Sequence, residues 1–168
     1  VFNVDDEVSK LYRKSRKCYR KLKKILPNYI TSFPIKKNNL SNAIAANQKN
    51  LKKITKIVHP EIRLKMNNFI KKNKNKKFVI LDIPLLIENK INKKNDILVF
   101  VDAKKKDIYR KLKKRNKTSI GIVKKLKKIQ LPIERKKKKA DFIIQNDFIN
   151  NSTKKNVKRL KEKILLNA

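Results

Sequence analysis

Apolar positions along the chain fall into two patterns. In one they recur at helical spacing. Val8, Leu11 and Tyr12 do so behind the acidic string Asp5-Asp6-Glu7, and acidic residues suit a helix N-terminus. A second helical stretch runs from about Ser15 to Leu26 and stops before Pro27. Residues 28–40 hold Pro34 and several asparagines and read as a loop. Leu40, Ile44, Leu51, Ile54 and Ile57/Val58 again recur at helical intervals. His59-Pro60 punctuates that stretch, because the residue before a proline avoids helical angles. A separate helix is therefore expected from about Glu61 to Ile70, and a last amphipathic one from roughly Ser152 to Leu166.

In the other pattern the apolar residues form short, unbroken, β-branched runs: KFVILD at 77–82, closed by Pro84; ILVFVDA at 97–103, followed by a basic helix to about Arg115; and ADFIIQN at 140–146. Val1 to Val4 reads as the end of a further buried strand. These predict core strands at 1–4, 77–82, 97–102 and 141–146. Strands that alternate with helices, each an unbroken apolar run, imply an α/β fold whose parallel sheet is covered by helices on both faces. Ligands in such folds sit beyond the carboxyl ends of the strands, where Asp5, Asp82 and Asp102 fall. The 168 residues predict one domain. There is no run of 18 apolar residues and so no expected membrane span. A chain that opens on Val1, inside an apolar strand, is expected to be a fragment.

Composition narrows the chemistry. Cys18 is the only cysteine and His59 the only histidine, which excludes an intrachain disulfide and a zinc site of nitrogen and sulfur ligands, and fits a reducing, cytoplasmic compartment. The formal charge is +36, which first suggests nucleic acid. Lysine outnumbers arginine 41 to 8, however, a bias expected of an A- and T-rich genome. The lysines are spread over the whole chain, and aromatic residues are not interleaved with them as a base-stacking surface would need. Non-specific affinity for polyanions is the expected side effect, and it would also draw in polyphosphate substrates.

Three strings are more specific: VFNVDDEV at 1–8, IVHPEIR at 57–63, and ILDIPLLIENK at 80–90 with DILVFVDA close behind. The arginine-ended helix to Arg115, Gln130-Leu131-Pro132, and the run from Lys136 through ADFII to Asn146 continue the series. In this order and spacing they resemble the dephospho-coenzyme A kinases, across essentially the whole chain. The resemblance implies a P-loop kinase-type parallel sheet flanked by helices, with a helical substrate-binding insertion at about 28–72 and a lid at about 116–139. It implies transfer of the γ-phosphoryl of ATP, with Mg2+, to the 3′-hydroxyl of dephospho-coenzyme A, the last step of coenzyme A synthesis. Family members open with a strand and a G-x-x-x-x-G-K-[ST] loop. With Gly121 the only glycine here, no such loop lies within these residues. The sheet is thus expected to lack its first, central strand, and the chain as given is expected to be inactive.

The resemblance also assigns roles. Asp5 is the implied catalytic base, in the family's V-x-D-x-D pattern, whose first acid is replaced here by Asn3; otherwise Asp5 caps the next helix. His59, Arg63 and Glu88 are the implied substrate-binding residues. Asp82 is the implied magnesium contact, through water; otherwise it is a solvated turn residue. Arg115, Arg135 and Lys136 are implied ATP and lid residues, and Asn146 lies near the implied adenine pocket. Where members carry T-R-E near the start of the lid, this chain has Ser119-Ile120-Gly121, so no arginine role passes to Ile120. Lys36-Lys37 stands where members often have an aspartate–arginine pair. A nucleoside monophosphate kinase would show D-G-F/Y-P-R at the third strand, where this chain has DIPLLIE. The alternatives outside this activity are a basic nucleic-acid-binding protein and a loop-less pseudokinase.

Overall fold

The computed structural model describes residues 1–114 and 130–166. The chain divides into two compact units, Val1–Pro84 and Leu85–Ala168.

In the first unit, strand β1 (Phe2–Asn3) runs straight into helix α1 (Val4–Lys14), followed by α2 (Arg16–Ile25), α3 (Lys37–Ala46), α4 (Lys49–Lys72) and strand β2 (Leu81–Asp82). β1 and β2 pair in parallel, with Phe2 opposite Leu81 and Asn3 opposite Asp82. Both strands are shorter than the apolar runs predict. Helix α1 begins at Val4 because Asn3 caps it, its Oδ1 accepting from the Asp6 N–H at 3.0 Å. Asp5 therefore lies in the first turn of α1 instead of at the strand end, and the cap role that its sequence context offered belongs to Asn3.

Helix α4 corrects the punctuation expected at His59-Pro60. It runs unbroken through Pro60, although proline removes one backbone N–H and its ring crowds the preceding turn, at roughly 3 kcal/mol. The compensation is burial. Asn50, Ile54, Val58, Ile62 and Met66 recur every four residues and are all buried. Each large apolar side chain so buried contributes about 1.5–3 kcal/mol. The real interruption is at Asn47 and Gln48: Asn47 closes α3 through its N–H to the Ala43 carbonyl, and its Oδ1 accepts from the Lys49 N–H to start α4. Around this stripe close Leu11 of α1, Cys18 and Leu22 of α2, Leu26, Ile30, Ile35, and Leu40 and Ala43 of α3, while Phe2 packs on Phe69 with ring centroids 5.4 Å apart.

In the second unit, β3 (Val99–Asp102) leads to α5 (Lys105–Lys114), then α6 (Ile133–Lys139), β4 (Phe142–Gln145) and α7 (Asn150–Leu166). β3 and β4 pair in parallel from Val99–Phe142 to Asp102–Gln145, and α7 packs against β4. Among the described residues the four strands thus form one two-stranded parallel sheet in each unit. Full coverage of both faces, expected from the unbroken apolar runs, is not what these strands have: Val99, Val101 and Ile143 are 40%, 58% and 48% exposed. Among the described residues each strand has a single hydrogen-bonded neighbour, so a run composed for a sheet interior retains solvent contact. Among the described residues no helix is long and apolar enough to cross a membrane.

Candidate functional site

The first cluster lies at the carboxyl ends of β1 and β2. The parallel register sets Asn3 beside Asp82, and Asn3 Nδ2 donates to Asp82 Oδ2 at 2.7 Å. Asp5 is exposed two residues further on, with Asp6 and Glu7 completing an acidic first turn, where the helix dipole favours negative charge. Glu7 points instead into the fold. The Lys10 ammonium at 2.6 Å holds its carboxyl below the usual range; partial burial opposes this, and Lys65 of α4, at 3.2 Å, adds to it. Asp82 is exposed, and its Oδ1 takes no hydrogen bond from the described residues. No group of three or more potential metal ligands occurs among the described residues. Magnesium does not need one: it keeps several waters and takes one or two carboxylates together with substrate phosphates. Asp82 fits a single contact of that kind.

The second cluster is a shallow, open groove along one face of α4, lined by Lys52, Thr55, Lys56, His59, Pro60 and Arg63. The helix itself sorts the HPEIR string between two tasks. Ile62 faces the core, and Glu61 receives Lys17 and Lys21 of α2 at 3.3 and 3.7 Å. His59, Pro60 and Arg63 face the groove. Partial burial, then the Arg63 guanidinium, pushes the His59 imidazole below its usual range, and the ring shares this face with Lys52, Lys56 and Arg63. Lys52 and Lys56 escape a reading that ends the helix at His59. Their signal is the spacing 52, 56, 59, 63, which lies on one face only if α4 is continuous.

In the second unit, Glu88 and Lys136 are paired with each other. Their charged atoms are 2.8 Å apart, with side chains only 11% and 16% exposed, and Glu88 also accepts from the Leu131 N–H at 3.0 Å. Burial alone would push the Glu88 carboxyl up; the Lys136 ammonium and the Leu131 N–H outweigh it and hold it below the usual range. The turn carrying Glu88 is bracketed by Leu85 and Lys90, both in the left-handed region at φ 54° and 50°. Such backbone costs roughly 1–2 kcal/mol per non-glycine residue, so the turn's position is imposed by its surroundings. The neighbouring Lys137 reaches Asp102 at the end of β3 at 2.8 Å, and Asp102 also accepts from Gln145 at 3.1 Å. Lys137 first, then Gln145, lowers the Asp102 carboxyl. Arg135 is exposed on α6. Asn146 is occupied as a local cap, its Oδ1 accepting from the Phe148 N–H at 2.9 Å and the Thr153 hydroxyl at 3.3 Å. Arg115, and residues 116–129 of the lid expected at about 116–139, lie outside the described residues; of the rest, 133–139 form α6.

One surface feature departs from the sequence-based view of the aromatics. Tyr19 and Phe33 meet edge-on at 5.6 Å, with Lys23 over the first ring and Arg16 over the second. Each ring is engaged by a cation of the chain itself.

Parallel strands joined through helices, with Asp82 and Asp102 at strand ends, define an α/β class of protein. The family model for dephospho-CoA kinase matches residues 3–153, and the chain belongs to the dephospho-CoA kinase family. It is 30% identical over 118 residues to the dephospho-CoA kinase of Wolbachia pipientis wMel, a match covering 69% of this chain and 60% of that protein. The chain thus spans less than two thirds of that relative. Its structure is similar to that of dephospho-CoA kinase from Campylobacter jejuni, with a TM-score of 0.66, 24% identity, and coverage of 99% of this chain and 86% of that one. A Thermus thermophilus crystal structure matches with a TM-score of 0.74 at 20% identity, over 96% and 83% of the two chains. At these identities the two structures establish the fold.

Proposed function

We propose that these residues bind dephospho-coenzyme A and supply part of the catalytic apparatus for transferring the γ-phosphoryl of ATP, with Mg2+, to its 3′-hydroxyl, in the cytoplasm. The observation that carries this reading is the α4 groove. His59 and Arg63 share it with Lys52 and Lys56, a shallow, open basic face of one helix that supports binding of the acceptor's phosphates. Asp5, exposed in the first turn of α1, is the proposed base for the acceptor hydroxyl. Asp82 would hold a water of the magnesium shell, and the metal would neutralise charge on the transferring phosphoryl group. Arg135, with Arg115, is proposed to meet ATP. Lys136 does so only when released from Glu88, which in this reading orients Lys136 and is not itself a substrate ligand. With a single glycine the chain contains no phosphate cradle of its own. The proposal assigns that task to a P-loop unit outside these residues.

An ADP-release assay on residues 1–168 and on a chain extended to include a G-x-x-x-x-G-K-[ST] loop tests this. We expect dephospho-CoA-dependent turnover from the extended chain and none from the shorter one. Asp5→Asn in the extended chain should lower kcat by about 10²–10⁴-fold, the usual contribution of a general base. Arg63→Ala should act mainly on KM for the acceptor. Turnover by residues 1–168 alone, or a normal kcat for Asp5→Asn, would overturn the assignment.

A further inference from the structure

Asn3 makes two hydrogen bonds in opposite senses. Its carbonyl end, Oδ1, accepts from the Asp6 N–H at 3.0 Å. Its amino end, Nδ2, donates to Asp82 Oδ2 at 2.7 Å. The amide orientation is forced by the two partners: reversed, it would set oxygen against a carboxylate oxygen and NH2 against an N–H. One side chain therefore fastens the end of β1, the first turn of α1 and the end of β2 at a single point. The parallel register, with Asn3 opposite Asp82, brings these side chains together whatever residue stands at position 3. Aspartate there would cap α1 as well as asparagine does and has nearly the same shape. It would have no hydrogen to give Asp82, and two carboxylates would face each other at contact distance with only a proton or a cation able to separate them.

We propose that Asn3 is a positioning residue that pins one oxygen of Asp82, leaves the other turned outward, and keeps the strand-end pair at a single negative charge that holds its geometry with no cation bound. This rests on the reading of Asp82 as part of the phosphate-transfer site, and it deepens that reading. It makes the local structure independent of the metal, so that magnesium can arrive with the nucleotide instead of being needed to hold the two strand ends together.

Thermal unfolding of residues 1–168 without nucleotide tests the pin. Asn3→Asp keeps the cap and removes the donor, so its melting temperature should fall by about 4–8 °C in chelator. Calcium, which accepts carboxylates in flexible geometry, should restore most of that loss while leaving the unsubstituted chain unmoved. The exchange Asn3→Asp with Asp82→Asn restores an amide–carboxylate pair with the donor on the other strand. It should melt within about 2 °C of the parent, well above the sum of the two single losses. In a loop-bearing chain the exchanged pair should still lose kcat, because the charge has moved from β2 to β1. Unfolding of Asn3→Asp at the parent temperature, with no calcium response, overturns the proposal, as does an exchange variant no more stable than its singles. Absence of phosphoryl transfer in the loop-bearing parent would sink the functional reading and leave the melts to stand alone.

Discussion

Residues 1–84 bury Phe2, Leu11, Cys18, Leu22, Leu26, Ile30, Ile35, Leu40, Ala43 and the α4 stripe, whereas in residues 85–168 the buried apolar side chain among those described is Ile144. The second unit instead has two lysines, adjacent in sequence, holding α6 to a turn and to a strand end through Glu88 and Asp102, while Val99, Val101, Ile133 and Ile143 stay exposed. Both units carry the same lysine-rich surface. They differ in which force orders them. Helices at 3.6 residues per turn can close a core among themselves, as α1 to α4 do around the α4 stripe. A two-stranded sheet cannot, because every strand is an edge. Apolar packing is non-directional and has no charge to titrate or screen; ion pairs depend on both pH and ionic strength.

The largest test of this contrast is a core truncation. Leu22 is fully buried, so Leu22→Ala should cost about 2–5 kcal/mol, read by denaturant unfolding. Val101→Thr, at a position 58% exposed, should change stability by no more than about 0.5 kcal/mol. Comparable losses at the two sites would mean that the second unit hides an apolar core too, and the contrast would fail.

Next in size is the Glu88–Lys136 pair. Glu88→Gln removes the charge that Lys136 meets and leaves a poorly solvated ammonium without its counter-ion. The pair is neither fully buried nor exposed, so a loss of about 1–2 kcal/mol is expected, between the values for surface and buried pairs. Amide protection in α6 should fall while that in α2 does not. Equal loss of protection in both helices would show that the two units unfold as one.

The smallest expected effect is that of acid. Glu88 and Asp102 have carboxyls held below their ordinary range. A lowered folded-state pKa contributes stability that is complete above the unfolded value and is lost as pH falls through the folded one. The second unit should therefore be at full strength above about pH 5 and loosen progressively below about pH 4. Glu7 follows the same sign in the first unit, but there the apolar core remains. Monitored by near-ultraviolet circular dichroism and amide protection, α6 should loosen before α2; the reverse order would break the comparison.

Much of this was legible in the residues. The helices at 4–14, 16–25 and 150–166 lie close to where apolar spacing and capping residues put them, because helical periodicity is a local property. The parallel sense of the strands was legible as well, because each is an unbroken apolar run that alternates with helices. The extent of the strands was not legible: a β-branched run is equally apolar whether or not a neighbour covers it. Pro60 misled for a related reason. Its local cost was clear, but the burial gained at Ile54, Val58, Ile62 and Met66 depends on helices distant in sequence. Ending the helix there also hid Lys52 and Lys56 from the groove.

From sequence alone came the family resemblance, the exclusion of a cysteine- or histidine-built metal site, and the identity of Asp82 and Asp102 as acids at strand ends, since each depends only on which residues are present and in what order. Tertiary structure decided which charges are already spent. Lys136 and Lys137 look like any other lysines in a basic run until Glu88 and Asp102 are brought to them, and Asn3 looks like a simple loss of charge until the β1–β2 register sets its amide against Asp82. Ion pairs and amide orientation act over about 3 Å, and only the folded chain brings residues some 35 to 79 positions apart within that reach.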